Sequence, residues 1–72
     1  MVRYRFFLIG RSETITDFGP QFCDSVDAAK RIAESLTLHL RDLRPELLGR
    51  GLFLIATDRS GSEICRFPID IH

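Results

Sequence analysis

The groups with which this chain could do chemistry are two cysteines, two histidines, and ten acidic and ten basic residues among 72 positions. Cys23 and Cys65 show no CxxC spacing, and with His39 and His72 they make no zinc set. Each cysteine is expected as a small buried hydrophobe with a reduced thiol. A serine nucleophile would need a strained elbow, but no G-x-S-x-G occurs, and Ser12, Ser60 and Ser62 fall in turns. His39 precedes Asp42 by about one helical turn, so the carboxylate could orient the ring or share a metal with it. Two ligands make no site. His39 is therefore expected at the boundary of a helix stripe, and His72 in a mobile terminus. Asp17, Asp24 and Asp58 stand where turns and a helix cap need them, not in the opposed environments that split paired carboxyl pKa values. G-x-G-x-x-G and Walker sequences are missing, and Gly49-Arg50-Gly51 reads as a loop. No catalytic residue, cofactor or metal is expected, and the chain is not expected to be an enzyme.

Acidic and basic residues cancel, and the sequence pI is near 6.7. A basic excess would mark bulk electrostatic binding to nucleic acid or anionic lipid, and it is lacking. All the bases except Lys30 are arginine, a residue suited to bidentate capture of phosphate or carboxylate, although codon bias is the plainer cause. Arg3 and Arg5 beside Tyr4 and Phe7 resemble the basic-aromatic platforms on which single-stranded bases stack. That makes a nucleic-acid-contacting regulator the alternative reading. The apolar run at 4–9 is too short for a signal segment or a membrane span, so a cytoplasmic protein is expected.

Residues 23–47 organise the elements that position these groups, because only there does a helical period persist. Val26, Ala29, Ala33, Leu36, Leu40, Leu43 and Leu47 recur at spacings of three and four, with Ile32 beside them. Asp24 is the expected N-cap with Asp27 completing a capping box, and Ser25 is the alternative cap. Pro45 ends the helix near Leu43. Lys30, Arg31, Glu34, Arg41 and Asp42 fall on the solvent side, with Leu38 in their midst.

Four strands surround that helix in sequence. Residues 2–9 place Tyr4, Phe6 and Leu8 on one face, and Arg3, Arg5, Phe7 and Ile9 on the other. Residues 13–17 form a short polar strand, with Ile15 as its core candidate and a break at Asp17-Phe18-Gly19-Pro20. Residues 52–57 are apolar on both sides, which leaves open which side meets the helix. In residues 62–69, Cys65, Phe67 and Ile69 alternate against Ile64 and Arg66, and Pro68 marks a sheet edge.

The expectation is one α+β domain over residues 1–72, ββαββ, with a four-stranded antiparallel sheet in the order 2-1-3-4. One helix covers one face. The other face then presents Phe7, Ile9, Leu52, Leu54 and Ile64, rimmed by Arg3, Arg5 and Arg66. Such a patch exceeds what soluble monomers usually leave open, so a homodimer is expected, with another protein as the other occupant.

Arg3-Tyr4-x-Phe6, the turn through Asp17 and Gly19, Gln21-Phe22-x-Asp24 leading into Asp27-Ala28-Ala29-Lys30, Asp58-x-x-Gly61 and Phe67-Pro68 together form a pattern. With it the chain resembles the small bacterial domains of unknown function, common in nitrogen-fixing soil species, that open with M-P-R-Y-x-F. The resemblance implies a stand-alone cytosolic domain and names no substrate, cofactor or catalytic residue. Val2 departs from the usual proline, and Gly10-Arg11-Ser12 replaces an acidic first turn.

Overall fold

The computed structural model describes residues 1–70. Its elements run β1 (Val2–Ile9), β2 (Thr14–Cys23), α1 (Val26–Leu43), a 3-10 turn (Pro45–Leu47), β3 (Phe53–Thr57) and β4 (Glu63–Pro68). The sheet order is β2-β1-β3-β4 and every neighbouring pair is antiparallel, so the expected α+β arrangement is the one adopted. The expectation for His72 lies outside the described residues.

α1 begins where a side chain can replace the missing helical partner. Ser25, not Asp24, is the N-cap: its Oγ accepts the Ala28 N–H at 3.1 Å from an extended backbone. At the other end the Arg44 N–H donates to the Leu40 carbonyl at 2.9 Å, and Pro45 then opens the 3-10 turn. The helix buries Ala29, Ala33 and Thr37, a line of small side chains four residues apart, while Ile32, Leu36 and Leu40 flank it half-buried. Small residues allow close approach to the sheet, whose Tyr4, Phe6, Leu8, Leu54 and Ala56 share the same core cluster. Thr37 belongs there because its Oγ1 donates to the Ala33 carbonyl at 2.8 Å, leaving no unmet polar atom. Of the expected stripe, Val26 and Leu43 at the two ends of α1 are exposed, whereas Leu47, in the 3-10 turn, is buried.

Arg41 is not a free solvent-side charge. Its Nε donates to the Ile69 carbonyl at 2.8 Å, and its Nη2 to those of Pro68 at 2.8 Å and Asp70 at 3.3 Å. This ties the last turns of α1 to the end of β4. The helix consequently packs more on β3 and β4 than on β2.

β2 also departs from expectation. It does not stop at Asp17 but continues to Cys23 through a bulge. Phe6 pairs with Gly19 and Phe7 with Asp17, so Phe18 is the extra residue. Asp17 Oδ1 accepts the Gly19 N–H at 2.8 Å, and Gly19 takes a φ of 85° that a residue with a Cβ would adopt only under strain. Ile15 is extra in the same strand, and Ile64 in β4. All three turn toward the helix side: Ile15 and Ile64 pack on the core cluster, and Phe18 lines cavities shared with α1.

Candidate functional site

The sheet face opposite α1 is built in cross-strand rows. Phe7 pairs with Ile55, which pairs with Arg66; Ile9 pairs with Phe53, which pairs with Pro68. Toward one end, Arg5 lies between Pro20 and Thr57, and Arg3 pairs with Phe22. Directly opposed residues share a face, so Phe7, Ile9, Phe53 and Ile55 form one block on the two central strands. Each of the four is half-buried.

Part of that shielding comes from arginines. The Arg5 guanidinium lies 5.7 Å from the Phe7 ring centre and bonds Asp17 at 2.7 Å. Arg66 lies 5.0 Å from the Phe53 ring centre and grips both carboxylate oxygens of Glu63, at 2.9 and 3.0 Å. A guanidinium held over an aromatic face covers apolar surface without losing its contact with water. The Ile64 bulge makes the second pair: it puts Glu63 opposite Thr57 and on the same side as Arg66. Glu63 is accordingly held below the ordinary carboxylate range, chiefly by its hydrogen bonds to Arg66.

Of the eight residues expected on this face, the structure brings Arg3, Arg5, Phe7, Ile9 and Arg66 together there. Leu52, Leu54 and Ile64 are elsewhere. Leu54 pairs with Leu8 on the helix side and is 0% exposed, and Leu52 is buried with its carbonyl accepting the Ile69 N–H at 2.9 Å. Ile64 is carried to the core by the bulge, which breaks the alternation on which the expectation rested. Phe53 and Ile55 take their places. The uniformly apolar 52–57 stretch carries no signal for this choice, since either set of side chains could be inside.

Phe22 also belongs to this face, at the open edge, and is 63% exposed. With Val2, Arg3 and Arg59 it lines a shallow hollow of about 330 Å³. Neither Arg3 nor Arg59 forms an ion pair among the described residues.

A second feature lies on the other side of β2, where α1 leans away. A cleft runs between the helix and this strand, with Phe18 as the wall shared by two cavities. The larger, about 440 Å³, is lined by Phe6, Ile32 and Leu36 with Gln21, Ser35 and His39. The smaller, about 210 Å³, lies among Leu8, Ile15 and Leu40, with Arg44, Glu46 and Arg50 at its polar end. His39, expected at the boundary of the stripe, is exposed at the mouth of the larger cavity, its Nδ1–H donating to the Ser35 carbonyl at 3.0 Å.

The remaining reactive groups have structural settings. Burial pushes both thiols up, Cys23 and Cys65 alike, which makes them poor nucleophiles. Asp58 closes the β3–β4 turn by accepting from the Ser60 N–H, the Ser60 hydroxyl and the Ser62 N–H. These bonds, the Ser60 hydroxyl first, hold it below its ordinary value of 3.8. Among the described residues no three His, Cys, Asp or Glu side chains are grouped to hold a metal, and no helix is long and apolar enough to cross a membrane. Compared with known proteins, the chain matches no family model, no curated protein and no solved structure.

Proposed function

We propose that the protein is a non-enzymatic interaction module that pairs with a second copy of itself through the open face of its sheet. The observation that carries this is the block of Phe7, Ile9, Phe53 and Ile55, contiguous across the central strands and opposite the only α-helix among the described residues. A contiguous apolar patch rimmed by polar residues is where soluble chains meet partners. A two-fold axis lets the same patch serve both copies, with the sheets stacked roughly 10 Å apart. Pairing edge to edge is the competing geometry, and the chain opposes it: β2 carries Pro20 and two bulges, and β4 carries Pro68 and one. Arg5, Asp17, Glu63 and Arg66 then form a charged rim that can exchange partners between copies. Two unpaired thiols suit a reducing compartment such as the cytoplasm. Sedimentation equilibrium at micromolar concentration is the test. Twice the chain mass is expected, falling to the single-chain mass for Phe7→Ser, and a monomeric native protein would overturn the reading.

A second reading, contact with single-stranded nucleic acid, is favoured by one observation: exposed Phe22 beside Arg3 and Arg59, neither of which has an ion-pair partner among the described residues. A base would stack on Phe22 while the two guanidiniums take phosphates. An oligonucleotide mobility shift at low salt, lost in the Arg3→Ala, Arg59→Ala double variant, is the expected result. No shift at low salt would remove it.

A further inference from the structure

We propose that the two cavities between α1 and β2, which adjoin at Phe18, together bind one medium-chain carboxylic acid, its tail against Phe6, Ile32 and Leu36 in the larger and its carboxylate at Arg50 in the smaller. Four observations converge. The larger cavity, about 440 Å³, has the size of a small-molecule site, typically about 300–1,000 Å³, and its floor and helix wall are apolar. The cleft has a structural cause at each side. Arg41 draws α1 toward β4, leaving the β2 flank uncovered, and the bulge in β2 turns Phe18 to the helix side as its outer wall. Phe18 remains 40% exposed there, an aromatic surface that nothing in the described chain covers fully. Finally, the charge is one-sided. At the far end Arg44 is already held by Glu46, whereas Arg50 forms no ion pair among the described residues. A guanidinium with no ion-pair partner among the described residues, in the cavity next to an apolar one, matches one carboxylate at the end of an apolar chain.

The other cavity mouth is lined by Gln21, Ser35 and His39, whose Nδ1–H is already donated to the Ser35 carbonyl. The site lies on the helix side of the sheet and does not involve Phe7, Ile9, Phe53 or Ile55, so it stands whether or not the open face pairs.

Octanoate, 1-octanol and acetate, titrated separately and followed by amide and methyl NMR shifts, test the proposal. Octanoate is expected to saturate, with shifts confined to Phe18, Ile32, Leu36, Leu40 and Arg50. Octanol should bind about tenfold more weakly at the same residues, and acetate not at all. Arg50→Gln should weaken octanoate about tenfold and leave octanol unchanged, because only the charge-assisted contact is lost. Ser35→Trp, a change at the exposed mouth that spares the core, should block both long-chain probes. Octanoate shifts that centre on Phe7 and Phe53, a response that never saturates, or octanoate binding indifferent to Arg50→Gln would each overturn it.

Discussion

Leu54 and Ile55 are neighbours in the chain and face opposite fates. Leu54 is sealed between β1, β4 and the small-residue line of α1, and Ile55 lies half-buried among Phe7 and the stem of Arg66. Both faces of the sheet are apolar at the centre, but they are covered by different means. On one, a helix with alanines at its contact line comes close enough to exclude water. On the other, ion-paired arginines lie over phenylalanine rings. The first cover is permanent. The second leaves Phe7, Ile9, Phe53 and Ile55 half-buried and partly wet, the kind of cover that the proposed pairing would have to displace.

That contrast can be broken by mutation, most severely at the sealed face. Leu54→Ala should destabilise the single chain by roughly 2–5 kcal/mol at every protein concentration, measured by urea denaturation. Ile55→Ala should cost the single chain less, and its effect should grow with concentration as the paired state is lost. Equal costs for the two, both independent of concentration, would mean the open face is only a surface. Arg41→Met keeps the stem but leaves the carbonyls of Pro68, Ile69 and Asp70 without their donor. It should cost roughly 1–3 kcal/mol and raise amide hydrogen exchange at the end of β4 before the rest of the sheet. Ser25→Ala removes the cap on Ala28 and should cost about 1 kcal/mol, with fraying confined to the first turn of α1.

The smallest effect sharpens the comparison at the β3–β4 turn, which belongs to neither face. Asp58 has its carboxyl pKa lowered in the folded chain, so its contribution is fully present above the ordinary value of 3.8. It is lost as pH falls through the lower folded value. Asp58→Asn should therefore flatten the acid limb of the thermal-midpoint profile below that pH, while leaving the plateau nearer neutrality shifted by a constant amount. An unchanged acid limb would show that the turn's hydrogen bonds do not depend on the carboxylate charge.

Strand number, order and pairing direction were legible in the sequence because apolar content sorts centre from edge: residues 2–9 and 52–57 are the richest runs, and prolines mark the other two. The inner face of β1 was equally legible, since Tyr4 and Phe6 alternate with Arg3 and Arg5 and Leu8 continues the period. Leu52 and Leu54 were placed on the wrong face because residues 52–57 are apolar on both sides, and much of the rest that the sequence hid traces to bulges. A bulge adds a residue without any change of residue type, and it shifts alternation by one from that point on. Ile64 was therefore placed on the wrong side, and β2 was ended at Asp17 although Gly19 and Pro20 serve the bulge and the edge. The cleft beside Phe18 depends on that same bulge and on Arg41 pulling the helix sideways, a contact spanning the chain from α1 to the residues after β4.

The most direct measurement is an isotope-filtered NOE experiment on a mixture of labelled and unlabelled chains, which detects only contacts between copies. Intermolecular NOEs from Phe7, Ile9, Phe53 and Ile55, with none from Leu54, are the predicted result. No intermolecular NOEs at millimolar concentration, or NOEs arising instead from exposed Val26, Leu38 and Leu43 on α1, would contradict the account.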